Sequence, residues 1–189
     1  MPQSLYSSPF SRALSTAKIT FAHIGAPSHL SESGQSSSSP IAKSPPILIV
    51  ENVRETNGKH TCDKRNTLPY ITRTYVKGTA SPKFVVEEGL TKEDELWTEE
   101  REPDEQLQER VVDVLDRIFE HDPSRCECRL YIRKAYTDRS IQDISITAHS
   151  GWITQLLAAT HYRKYKLPTG GNDVQSLYNF LCSMRCALT

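Results

Sequence analysis

Apolar residues recur along this chain in two rhythms, and each change of rhythm marks an element. Ser4-Leu5-Tyr6-Ser7 reads as a short strand. Ser8 then stands where an N-cap belongs, and Pro9 at the first helical position, where a missing N–H costs nothing. The helix this predicts runs through Arg12, Leu14 and Ala17 to about Ile19. A strand feeding straight into a helix is half of a βαβ unit. Residues 25–46 break the rhythm: Gly25, Pro27, Gly34, Pro40, Pro45 and Pro46 surround a run of serines at 36–39. Such a stretch has no face to bury, and it reads as a surface insertion.

Ile47-Leu48-Ile49-Val50 has the unbroken apolar character of a strand covered on both faces. From 51 to 103 the chain is mostly charged and irregular, with Phe84-Val85-Val86 its most strand-like piece. A helix is predicted over 104–120, where Leu107, Val111, Val114, Leu115 and Ile118 share one face. Residues 124–142 fit neither period and read as a second insertion. A strand returns over 143–148 with Ile144 and Ile146 alternating. His149-Ser150-Gly151 makes the turn, and Trp152, Ile153, Leu156 and Leu157 open another amphipathic helix. The order strand, helix, strand, helix, strand, helix predicts an α/β fold, a three-layer sandwich around a mainly parallel sheet.

With 189 residues, 37% of them hydrophobic, the chain can bury one sizeable core, and no second full domain is expected. Lys and Arg total 23, as do Asp and Glu, so neither nucleic acid nor an anionic membrane is the expected partner. No apolar run reaches the roughly 18 residues that suggest a spanning helix. No basic, then apolar, N-terminal leader is apparent, so the expected location is cytoplasmic, with the nucleus open to it. Five cysteines at irregular spacing, without a repeated CxxC or a histidine pair, read as free thiols rather than as a metal site.

Chemistry is expected where an open α/β sheet places its ligands, at strand carboxyl ends and the helix starts next to them. Arg12 falls in the first turn of a helix behind a strand, where exposed N–H groups and a guanidinium fork suit a phosphate. His149 comes after the strand Ser145-Ile146-Thr147 in the same way. Taken singly, a helix arginine is usually a solvated surface residue and a turn histidine is usually satisfied by backbone. A serine-hydrolase reading of His149-Ser150 fails, because there is no G-x-S-x-G elbow and adjacent residues rarely serve each other as base and nucleophile. The third segment runs from Glu51 to Arg65 and is dense in Glu, Arg, His and Lys. It reads either as an active-site lid or as an ordinary charged loop.

Together the three segments resemble the histidine phosphatase, or phosphoglycerate mutase-like, superfamily. Leu5-Tyr6-Ser7-Ser8-Pro9-x-x-Arg12-Ala13-Leu14-x-Thr16-Ala17 resembles its second arginine motif. Arg54-Glu55-x-x-Gly58-x-His60-Thr61-Cys62-Asp63-Lys64-Arg65 is similar to the acid-bearing segment of the eukaryotic branch. The stretch from Glu87 to Trp97 resembles the next segment of that branch. Ser145-Ile146-Thr147-x-His149-Ser150-Gly151 and Leu167-Pro168-Thr169-Gly170-Gly171 resemble the second-histidine and closing motifs. On this likeness residues 1–171 are expected to form one phosphoglycerate mutase-like domain, incomplete at both ends, and 172–189 a divergent tail.

The resemblance implies a phosphohistidine mechanism on a small phosphorylated metabolite or other phosphomonoester, with no cofactor and no metal. A histidine in an Arg-His-Gly motif attacks phosphorus, arginines neutralise the oxygens, and a carboxylic acid protonates the leaving group. It implies Arg12 as a phosphate-binding arginine and His149 as the second, charge-stabilising histidine. Glu55 is the implied acid, ahead of Glu51. The branch resembled by residues 51–65 favours phosphatase over mutase. No Arg-His-Gly triplet occurs in the sequence. His23, His29, His60, His121 and His161 lack the strand-end context to replace it. The chain is therefore expected to be truncated and impaired in turnover, with a non-catalytic phosphate-binding or regulatory role as the rival reading. A missing first strand is also expected to leave its neighbours in the sheet unpaired.

Overall fold

Four short parallel strands carry the architecture: β1 (Ser4–Ser7), β2 (Ile47–Ile49), β3 (Phe84–Val86) and β4 (Ile144–Thr147). The computed structural model describes Pro2 and residues 4–22, 45–79, 81–121 and 144–160. The strands lie in the order β3-β2-β1-β4. Leu5 stands opposite Ile47 on one side and Ser145 on the other, and Ile47 stands opposite Phe84. The chain winds outward through β1, β2 and β3, then returns to the far side of β1 for β4. Its direction therefore reverses between β1 and β4, and the carboxyl ends at such a reversal diverge to form a crevice. β1 is paired on both sides, so the four strands run without the gap that the sequence led us to expect. Among the described residues β4 is an edge, and all four of its residues are half-buried.

Strand alternation sorts the side chains into two cores. Leu5, Ile47, Ile49 and Phe84 meet Leu14, Ala17 and Phe21 of α1 (Ser11–Phe21). Tyr6, Leu48, Ile144 and Ile146 turn the other way, toward α3 (Asp104–His121) and α4 (Ser150–Ala159). There Leu107, Val111, Val114 and Ile118 recur at helical spacing and pack with Trp152, Leu156 and Leu157. Fully burying one such side chain is worth about 1.5–3 kcal/mol, so these two faces, not strand length, hold strands of three and four residues. The result is the α/β fold with a parallel sheet and helices on both faces.

Local details depart from the sequence reading. Helix α1 begins at Ser11, with extended Phe10 as its N-cap residue, so Ser8 is not the cap and Pro9 is not the first helical residue. Phe10 stays extended and buries its ring, and the Ser8 hydroxyl is drawn toward His149 instead. The helix also continues to Phe21, which is buried. His149 is the N-cap of α4, so Ser150 and Gly151 are its first helical residues rather than a turn. The stretch after β2 is not wholly irregular. It holds 3-10 turns at Glu51–Val53 and Thr61–Asp63, then α2 (Leu68–Ile71) running into a π turn at Thr72–Val76. Thr67 caps α2 by accepting from Tyr70 N at 3.3 Å. The expected insertions lie outside the described residues, save Pro45 and Pro46 ahead of β2, as do the closing motif and the tail.

Candidate active site

The two strand-to-helix crossings at the sheet's reversal lie side by side. Ser8 N donates to Thr147 O at 2.9 Å, which brings the buried Ser8 hydroxyl to the His149 ring. Ser8 Oγ is 2.9 Å from His149 Nε2, and Arg12 Nε donates to His149 Nδ1 at 3.1 Å. An arginine N–H can only donate, so Nδ1 accepts and the ring proton belongs on Nε2, from which it donates to Ser8. Burial, and after it the charge of Arg12, lower the His149 pKa to about 4, so the ring is neutral at pH 7. This wiring is the reverse of a serine hydrolase, where a carboxylate on Nδ1 leaves Nε2 free to take a proton. An imidazole that presents N–H beside a guanidinium suits an oxyanion.

Phe10 is the platform of the cluster. Its ring centroid lies 5.2 Å from that of His149, and the Arg12 and Arg54 guanidinium carbons lie 4.9 and 5.1 Å from it. Arg12 is further tied to Cys62 O and to Asp63 Oδ1. Arg54 is fully buried and forks onto Asp94, with NH1–Oδ1 2.8 Å and NH2–Oδ2 2.7 Å. It also reaches Glu51 Oε1 at 2.7 Å and Asp63 O at 3.2 Å. Arg65 Nε lies 2.9 Å from Glu51 Oε2, close enough for an ion pair though off the line of a hydrogen bond. Burial raises the Glu51 pKa and outweighs both arginines. For Asp94 burial also acts upward, but hydrogen bonds from Arg54 and Arg65 N prevail and lower it. This network folds residues 51–65 over the carboxyl ends of the strands and sets Asp63 beside Arg12.

Glu55 is placed differently from Arg12. Its Oε2 accepts from Gly151 N at 3.1 Å, and its Oε1 from Trp152 N at 3.2 Å and Thr56 N at 3.0 Å. The carboxylate therefore caps the N-terminus of α4, against the positive end of that helix. Arg110 of α3 holds the segment from below: NH1 donates to the Asn52 and Arg54 carbonyls and NH2 to that of Glu55. Arg110 is itself forked onto Glu102. Arg12 and His149 are thus in contact, and Glu55 lies at the mouth of the helix that His149 begins. His60 is an exposed residue ahead of the Thr61–Asp63 turn. Among the described residues no group of three or more His, Cys, Asp and Glu could hold a metal ion, and no helix is long and apolar enough to cross a membrane.

No family model matches the chain, and no solved structure gives a significant match. Curated proteins do match. A probable phosphoglycerate mutase of Arthroderma benhamiae is 34% identical over 173 residues, 90% of this chain and 40% of that protein. Phosphomutase-like protein 3 of Candida albicans is 30% identical over 171 residues, 90% of this chain and 42% of that protein. The chain is similar to phosphoglycerate mutase-like proteins. It spans less than half the length of these relatives.

Several residues of the cluster are not singled out by the sequence. Ser8 reads as a helix cap, and Phe10 carries no signal of its own. Asp63 and Arg54 stood inside the charged segment without distinction from their neighbours. The one usable cue was position: Ser8 comes directly after the carboxyl end of β1, as His149 comes two residues after that of β4.

Proposed function

We propose that this chain carries the oxyanion-handling part of a phosphomonoester hydrolase of the histidine phosphatase type, acting on small phosphorylated metabolites. The observation that supports it is the contact of Arg12, His149 and Ser8 at the reversal point of the sheet. In this reading Arg12 neutralises non-bridging phosphoryl oxygens, and His149 turns its Nε2–H from Ser8 to the incoming oxyanion. Glu55 is the carboxyl we assign to the leaving oxygen, from its place at the mouth of α4. The covalent step needs an imidazole nucleophile, and the sequence contains no Arg-His-Gly triplet. Loss of a nucleophile from a cooperating set costs on the order of a millionfold, so turnover by these residues alone is expected to be very slow. The rival reading is a phosphate-binding protein without turnover, using the same Arg12 and His149 pair. Orthophosphate binding and hydrolysis of an aryl phosphate separate the two. Turnover abolished by His149→Ala supports the hydrolase, and phosphate binding without turnover supports the binding protein. A chain that neither binds nor hydrolyses leaves both without support.

A further inference from the structure

The carboxylate of Asp63 holds two guanidiniums at once. Oδ1 accepts from Arg12 NH2 at 3.0 Å and Oδ2 from Arg101 NH1 at 3.1 Å. Its side chain is 8% exposed, whereas those of Arg12 and Arg101 are 45% and 42% exposed. A carboxylate lying over two arginines would screen them from solvent. This one lies beneath them and leaves their outer edges open. Burying an ionised carboxyl costs several kcal/mol unless it is paired, and both of its partners here are half in water. Arg101 is fixed from the same side, since NH1 also donates to Thr56 O at 3.1 Å and Gly58 O at 3.3 Å. Gly58 makes that approach feasible: its φ is +84°, and a Cβ there would fall 1.8 Å from Glu100 O. All of these contacts use NH1. Among the described residues Nε and NH2 of Arg101 donate to nothing. Two cations thus share one anion, near the neutral imidazole of His149, with the Glu55 carboxylate held at the neighbouring helix end.

We propose that Arg101 is a second anion-binding residue of this site, and that Asp63 is a positioning residue holding Arg101 beside Arg12 so that both forks face one phosphoryl group. The inference rests on the phosphate-handling reading above and adds to it a residue from the segment ahead of α3. The ligand class is an oxyanion with several equivalent oxygens, as in orthophosphate or a phosphomonoester, to which planar N–H forks donate in parallel.

Calorimetric titration of the full chain with orthophosphate at neutral pH tests this. Arg117 is a charge-matched control, similarly exposed and paired with Glu87 and Asp113 rather than with Asp63. Arg101→Gln is expected to weaken binding about tenfold or more, the scale of a charge-assisted hydrogen bond, and Arg117→Gln less than about twofold. Asp63→Asn should weaken binding as Arg101→Gln does. If Asp63 acts through the arginine, the double variant should bind little more weakly than either single one. Binding unchanged in Arg101→Gln, or reduced no more than in Arg117→Gln, while Arg12→Gln loses it, overturns this proposal and leaves the phosphate site standing. No binding by the native chain overturns both. Arg101 touches neither core face, so its variant tests the proposal even where Asp63→Asn does not fold.

Discussion

Arg12 aims its Nε–H at Nδ1 of His149, and this one contact, at 3.1 Å, decides the tautomer of the imidazole. The ring cannot be doubly protonated without pointing N–H at N–H. Burial is the larger cause of the lowered pKa, the charge of Arg12 adds to it, and the pKa falls to about 4. The clamp we propose therefore pairs a neutral histidine that donates with a cationic arginine. The two residues reach each other only because β1 and β4 are neighbours in the sheet.

The lowered pKa makes stability depend on pH with a definite sign. An unfolded histidine titrates near 6.5 and the folded one near 4, so between these values the unfolded chain binds more protons. The stability attributable to neutral His149 is complete above about pH 6.5 and is lost as pH falls through about 4. The gap corresponds to about 3 kcal/mol at its full extent. Urea denaturation from pH 7 to 4 should show this decline, and His149→Gln should flatten it. An equal decline in the variant assigns the loss to other groups.

The contact between Glu55 and Gly151 gives a second expectation. A Cβ on Gly151 would fall 2.2 Å from Glu55 Oε1, so any larger residue here must displace the carboxylate from the helix end. Gly151→Ala should push the carboxylate off the helix end and cost about 1–3 kcal/mol by overpacking. Glu55→Ala should cost about 1–2 kcal/mol as a lost cap, measured by denaturant midpoint. Stability unchanged in both variants contradicts the cap.

Arg54 and Asp94 give a third. Each is almost wholly buried and is the other's main partner, with NH2–Oδ2 2.7 Å. Removing one leaves an uncompensated buried charge, which costs about 3–5 kcal/mol. Arg54→Met and Asp94→Asn should each lower the denaturation midpoint sharply, and the double variant should lose much less than the sum. Simple additivity of the two losses argues against a coupled pair.

Strands and amphipathic helices were legible in the sequence because their signal is periodic and local. The face Leu107, Val111, Val114 and Ile118 is an example. What escaped was set by contacts distant in sequence. Ser8 looks like a helix cap until β4 brings His149 beside it, and Asp63 is one acid among many until Arg12 and Arg101 close on it. The start of α1 moved to Ser11 because tertiary burial of Phe10 overrode local cap preference. Arg12 and His149 were legible as a pair only through motif order. Neither residue has a local pattern that marks it.

Loss of Arg12 should change both the acidity and the tautomer of His149. Arg12 lowers the His149 pKa, but burial is the larger cause and does not depend on Arg12. Arg12→Gln should therefore raise the pKa above its native value of about 4 while leaving it below the ordinary 6.5. Glutamine can also present its amide oxygen to Nδ1, which permits a proton there and removes the constraint on the tautomer. Two-dimensional NMR of the imidazole nitrogens through a pH titration reads both quantities at once. The native chain should show a neutral ring protonated at Nε2 down to about pH 4, and the variant an earlier protonation step with mixed tautomers. Phosphate binding should weaken in the same variant, since the guanidinium that orients the ring is also the one proposed to meet the ligand. An unshifted titration with Nε2 still protonated would mean that burial alone sets the state of His149, and that Arg12 does not hold the ring.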